Sequence, residues 1–227
     1  YEIRLSLVGS EMCIRDSFLP VPDEEGGEYG GCTRLATLLR QERAAAETPV
    51  VTLDAGDFSM GSLFQTIYAT DAPELRALGQ RGYDVTTLGN HEFDYRARGL
   101  AEMLGAAVDS GDRLPAVVQA NYKPPAGDGA TRAAWENYGI GDYVVLERDG
   151  VRVAVFGLLG VDADECAPMS GMEFTPLAQA AQRVVETIQA QEAADYIVCL
   201  SHSGTTDGKG AVSYTHLRAH ETKANLV

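Results

Sequence analysis

The stretch Thr87-Leu88-Gly89-Asn90-His91-Glu92-Phe93-Asp94-Tyr95 decides the fold. Residues 84–88 form a short β-rich run that stops at a glycine and gives way at once to side chains able to do chemistry. Beyond them Leu100, Met103, Leu104 and Val108 recur on one face, the spacing of a helix over about 97–108. Two other segments repeat this grammar of strand followed by polar turn. Val50 to Leu53 leads into Asp54-Ala55-Gly56-Asp57, and Tyr196 to Leu200 leads into Ser201-His202-Ser203-Gly204. In open α/β sheets ligands gather outside the carboxyl ends of the strands, so Asp57, Asn90, His91 and His202 are expected to meet there.

The residue types have a common chemistry. A carboxylate, an amide oxygen and imidazole nitrogens suit a borderline divalent cation such as Mn or Zn, and a carboxylate with two oxygens can bridge two ions. Taken singly, each has a blander explanation. A Gly-Asp after a strand is usually a turn, a histidine there is usually a hydrogen-bonded structural residue, and Asp94 suits a helix cap. Their combination, in this order, carries the signal. Glu92 stays open between an acceptor behind the ligands and a carboxylate favoured by a helix start; it is left out of the catalytic set.

Working outward, strand-like and helix-like segments alternate from Phe18 to about Ala211. Residues 32–46 place Leu35, Leu38 and Leu39 on one helical face. Asp71, with Glu74 three residues on, has the spacing of a capping box for a helix ending near Gly82. Ala116 to Gln119 reads as a buried strand and Lys123 to Ala133 as a Pro/Gly loop. Tyr143–Glu147 and Val151–Leu158 flank Arg148-Asp149-Gly150, a hairpin signal. Thr175 and Pro176 open a long helix whose apolar stripe is Leu177, Ala181, Val184, Val185 and Ile188. The pattern is one α/β domain with mixed strand directions. No GxGxxG follows a first strand, which excludes a dinucleotide-binding Rossmann reading.

Composition narrows the function classes. The 227 residues are 45% hydrophobic, enough for a sizeable core, with 33 Asp and Glu against 18 Lys and Arg, a net charge of −15. That field repels polyanions, so nucleic acid is excluded as a partner. No apolar run approaches the roughly 18 residues of a membrane span. Four cysteines without CxxC spacing give neither a zinc set nor a disulfide framework.

The segments LDAGDFSMGS (53–62), TLGNHEFDY (87–95), QANY (119–122) and LSHSG (200–204) resemble the calcineurin-like metallophosphoesterases, in their 5'-nucleotidase and UDP-sugar hydrolase branch. FLPVPDEEGGEYGGCTRLATLL (18–39) is similar to the segment after that branch's first metal motif. The resemblance implies an incomplete αββα sandwich with a mixed sheet. It implies two divalent ions (Mn, Zn, Co or Mg) as cofactors, a small nucleotide or other phosphoester as substrate, and phosphate monoester hydrolysis. It makes Asp57 the carboxylate bridging both ions, Asn90 and His202 ligands of the second, His91 the histidine beside the scissile phosphate, and Asp94 its orienting partner. A cyclic nucleotide phosphodiesterase, a UDP-sugar hydrolase or a thiosulfate-chemistry relative shares this scaffold. A binding module that has lost its metals is the alternative from another class. Relatives of this branch are commonly exported or held at the cell surface, which is the sole pointer to location.

Two departures follow. The family's Asp-x-His pair belongs before Phe18, where this chain has Cys13-Ile14-Arg15-Asp16-Ser17, and its Gly-His-x-His would lie beyond His202. SLVGSEMCIRDS (6–17) and VSYTHLRAHETKANLV (212–227) resemble translated sequencing-adapter strings and lack period, caps and turn chemistry. The expected organisation is therefore a non-native segment over 1–17, a partial catalytic domain over 18–211 and a second non-native segment over 212–227. His216 and His220, spaced as helical ligands, are discounted with it. The intact parent is expected to hydrolyse phosphoesters, and this polypeptide to bind metal weakly and turn over slowly or not at all.

Overall fold

The computed structural model describes residues 5–7, 20–22, 26–191 and 194–203. Asp16, Gly204, His216 and His220 lie outside them. Two sheets stack face to face. The first has the order β1 (Leu5–Leu7), β4 (Val51–Leu53), β5 (Val85–Thr86), β6 (Ala116–Val117), every pairing parallel. The second has β11 (Tyr196–His202) parallel to β9 (Val151–Leu159), which pairs antiparallel with β8 (Tyr143–Arg148). Two-stranded pairings join β2 (Pro20–Pro22) to β3 (Glu28–Gly30) and β7 (Tyr122–Lys123) to β10 (Glu173–Phe174).

Period-two burial explains the layers. Val51, Leu53 and Val85 of the first sheet pack on Val153, Val155 and Leu200 of the second, with Val118 between them. The alternate residues of β9, Ala154, Phe156 and Leu158, face outward onto helix Leu177–Gln191, which buries Leu177, Ala180, Ala181, Val184 and Ile188. On the far side of the first sheet, Leu88 and Val117 meet helices Pro73–Arg81 and Arg96–Asp109 through Leu75, Leu78, Leu100, Met103 and Leu104. The result is helix, sheet, sheet, helix: the αββα order implied by the resemblance.

Most elements lie where the sequence pattern puts them, including helix Cys32–Ala45 and the hairpin turn, where Asp149 and Gly150 take φ of +49° and +80°. Three corrections are needed. The segment 123–133 is not all loop: helix Gly129–Tyr138 starts within it, because Asp128 accepts from Thr131 N–H and Thr131 Oγ1, and Trp135 supplies a buried anchor. Asp71 does not cap the next helix. It ends a short one, Tyr68–Asp71, and Ala72 at φ +46° turns the chain into Pro73. Glu74 is then buried rather than closing a capping box. Third, Leu5–Leu7 forms the edge strand of the first sheet, within a segment to which the sequence pattern gave no element.

Candidate functional site

All three polar turns open at the carboxyl ends of their strands, β4, β5 and β11, and the stacking of the sheets brings them to one end of the sandwich. The first two come from the first sheet and the third from the second, so the site straddles the seam between them.

The two turns of the first sheet touch through glycine. Gly56 takes φ of +91°, open to glycine at little cost, and a Cβ there would lie 2.5 Å from Gly89 N. A Cβ on Gly89 would lie 2.1 Å from Asp57 Oδ1. Asp57 itself sits at φ +58°, a conformation that costs a non-glycine residue free energy and that the surroundings must enforce.

Glu92 does the enforcing. It is 0% exposed, its Oε2 accepts from Asp57 N–H (2.9 Å) and Gly89 N–H (2.6 Å), and its Oε1 accepts from Ser59 N–H and Ser59 Oγ (2.9 Å each). Burial and the neighbouring Asp57 carboxylate push its pKa up to about 7, against these donors, which favour the anion. Local pattern alone does not choose between its two readings, since both make a carboxylate beside a helix start. The fold makes it the acceptor that ties the two turns together. Asp54 plays a smaller part: its Oδ2 accepts from Gly56 N–H and Thr86 Oγ1.

With the turns fixed, the anticipated side chains converge. Asp57 Oδ1 accepts from His91 N–H at 3.0 Å, and Asp57 Oδ2 lies 3.2 Å from His202 Nε2. The same nitrogen is 3.3 Å from Asn90 Oδ1, while His202 Nδ1–H donates to the Ala55 carbonyl at 2.9 Å. His202 is 8% exposed. Burial alone would lower its pKa, but the hydrogen bond and charge of Asp57, with Glu92 and the Ala55 carbonyl, outweigh that and raise it. For Asp57, burial pulls the pKa up, but His202 and His91 prevail and hold it down. Both ring nitrogens of His202 thus face acceptors, an environment that demands positive charge.

His91 and Asp94 form a separate pair at the mouth. His91 Nδ1–H donates to Asp94 Oδ2 at 3.0 Å, and the side chains are 39% and 30% exposed. This leaves His91 Nε2 unengaged by that bond. Asp94 precedes helix Arg96–Asp109, whose cap residue is Tyr95, with no side-chain cap bond.

No family model matches the sequence. Over 177 residues the chain is 32% identical to the trifunctional nucleotide phosphoesterase YfkN of Bacillus subtilis, an alignment covering 68% of this chain and 12% of that protein. It is 31% identical over 177 residues to a probable 5'-nucleotidase of Treponema pallidum, covering 77% of this chain and 27% of the relative. The crystal structure of the calcineurin-like phosphoesterase YfkN from Bacillus subtilis superposes with a TM-score of 0.62 over 85% of this chain and 60% of the other, at 22% identity. Fold and sequence together place the chain in the calcineurin-like metallophosphoesterases. Within that family its relatives are 5'-nucleotidases and nucleotide phosphoesterases. The chain spans about a quarter or less of the length of the two curated relatives compared above. Among the described residues no helix is long and apolar enough to cross a membrane.

Proposed function

We propose that the protein to which this chain belongs hydrolyses phosphate monoesters, with nucleoside 5'-phosphates as substrates, and that Asp57, Asn90 and His202 hold a divalent ion of a two-ion site. The observation that carries the reading is the surrounding of His202 Nε2 by Asp57 Oδ2 and Asn90 Oδ1. Two oxygen acceptors around one protonated nitrogen form a locus that asks for a cation, and the donor set of carboxylate, amide oxygen and imidazole fits Mn or Zn. The Ala55 carbonyl fixes the other nitrogen as N–H, so the lone pair would be at Nε2 once that proton leaves.

When bound, the ions would supply Lewis acidity, neutralising phosphate charge and acidifying water. The protein's own part is positional and protonic. The Asp57 and Asn90 turns, locked by Glu92, present their oxygens without reorganisation. His91 would face the phosphate with its Nδ1–H held by Asp94, and in its protonated form the ring would carry a second proton on Nε2 for the departing ester oxygen. Such a group contributes about 10²–10⁴-fold in rate. Further ligands are needed for two ions, so this chain is proposed to carry one part of the centre, with residues 1–17 and 212–227 outside it.

The test is phosphate release with Mn²⁺ from AMP, 2',3'-cyclic AMP and a UDP-sugar. It compares the 227-residue chain with the protein expressed from a longer gene that contains residues 18–211. The longer protein is expected to cleave AMP, to lose that activity on Asp57→Asn, and to outpace the 227-residue chain. Metal-dependent turnover that survives Asp57→Asn would remove the site assignment. Equal rates for the two lengths would remove the claim that the chain holds only part of the centre.

A further inference from the structure

The proposed ligands belong to two different sheets, yet Asn90 Oδ1 and His202 Nε2 approach to 3.3 Å. Apolar packing between sheets is non-directional and does not by itself set the distance and angle between two polar groups. A polar connection beneath the site does. Gln119 and Asn121, both 0% exposed, follow β6 and cross the seam. On the first-sheet side, Gln119 Oε1 accepts from Thr87 Oγ1 at 2.7 Å and from Leu88 N–H at 3.3 Å, one residue before the Gly89-Asn90-His91 turn. On the second-sheet side, Asn121 Oδ1 accepts from Leu159 N–H at 2.8 Å, and its Nδ2 donates to the Leu159 carbonyl at 2.9 Å and to the Thr175 carbonyl at 3.2 Å. The two amides meet where Gln119 Nε2 donates to Asn121 Oδ1 at 3.2 Å. Leu159 stands in register with His202, and Gly160 N–H donates to the His202 carbonyl at 2.7 Å.

The chain of contacts is therefore continuous from Leu88 through Gln119, Asn121 and Leu159 to the backbone of His202. Alternation along the strand adds a reason for its position. Gly157 packs against the same polar group, and a Cβ there would lie 2.2 Å from the Val118 carbonyl and 2.3 Å from Thr87 Oγ1. The backbone of β9 can lie against this group because residue 157 carries no side chain.

We propose that Gln119 and Asn121 are positioning residues: a buried amide strut that sets the separation of the Asn90 turn from His202 and so tunes the affinity of the cation locus. The function of the strut rests on the metal reading above, but its geometry does not, and two measurements on the 227-residue chain keep them apart. The first uses the metal-free protein. The side-chain amide resonance of Asn90 and the ring nitrogen resonances of His202 are expected to move in Gln119→Ala and in Asn121→Ala, and to stay put in Val184→Ala. Val184 is a core residue of the helix on the outer face of the second sheet, so that variant controls for lost stability. Unmoved resonances in the two amide variants would overturn the strut whatever the protein binds.

The second measurement is Mn²⁺ affinity by calorimetry. Each amide variant is expected to lose roughly 10–100-fold, the range for partners that orient metal ligands, and the double variant no more than the larger single loss, because one strut is cut in either case. Val184→Ala should bind Mn²⁺ as the unaltered chain does. An equal affinity loss in Val184→Ala at a matched drop in melting temperature would reduce the amides to ordinary structural residues. If Asp57→Asn binds Mn²⁺ as well as the unaltered chain, the ion reading fails and the resonance result alone judges the strut.

Discussion

Two groups of side chains at the same end of the sandwich are built in opposite ways. Asp57, Asn90 and His202 rest on a buried frame: glycines in contact, a carboxylate with four donors, a strained backbone and a ring bonded through both nitrogens. His91 and Asp94, by contrast, stand at the rim and share one hydrogen bond. The contrast suits the proposed division of labour. Ligands for a cation must already be in place, since any reorganisation would subtract from binding, whereas a group that passes a proton needs reach and contact with water. Stability and chemistry should therefore separate cleanly between the two.

The strongest way to break that comparison is Glu92→Ala. It strands the N–H groups of Asp57, Ser59 and Gly89 away from water, each costing about 1–3 kcal/mol. A total loss of at least about 3 kcal/mol is expected, read as a fall of roughly 6–12 °C in melting temperature at this size. Glu92→Gln should lose about half as much, because its amide can keep an oxygen toward Asp57 and Gly89 but turns a donor toward Ser59. If Glu92→Ala unfolds at the temperature of the unaltered chain, the turns are held by something else. Gly89→Ala comes next. Its methyl would press on Asp57 Oδ1 and on Asp57 N, at 2.1 and 2.7 Å, and Asp57 cannot retreat without breaking its bond to Glu92. Overpacking of this kind costs about 1–3 kcal/mol, and Mn²⁺ binding should fall with it. Retained binding at unchanged stability would show the contact to be soft.

How much of this could be read without coordinates depended on whether a feature repeats locally. The helices over 96–109 and 177–191 and the hairpin at Arg148-Asp149-Gly150 announce themselves by period and turn chemistry. The rule that sites form at carboxyl strand ends brought Asp57, Asn90 and His202 together. Helix Gly129–Tyr138 was hidden because its start signal, Asp128 with Thr131, lies among Pro and Gly residues that dominate a short window. Glu92 was ambiguous because its partners, Asp57 and Ser59, are more than thirty residues away in sequence. Gln119 and Asn121 formed part of a matched segment, but the sequence assigns an amide no partner. For Glu92, Gln119 and Asn121, what local pattern lacks is long-range hydrogen bonding, which only the assembled sheets create.

The rim pair gives the smallest effect on stability and sharpens the comparison most. His91→Ala removes one exposed hydrogen bond, Asp94→Asn only weakens it, and neither leaves a buried group unpaired, so each should change unfolding free energy by less than about 0.5 kcal/mol. Mn²⁺ affinity should hold too, because the His91 backbone N–H, not its ring, touches Asp57. In the longer protein, phosphate release should nevertheless drop about 10²–10⁴-fold for His91→Ala and by a smaller factor for Asp94→Asn, which keeps an oxygen for Nδ1–H but loses the charge that steadies the protonated ring. A loss of stability or of Mn²⁺ binding in His91→Ala comparable to that in Gly89→Ala would mean that the rim belongs to the same rigid frame and that the two groups are not separate. Intact binding with collapsed turnover is the outcome that a buried locus beside an exposed proton donor requires.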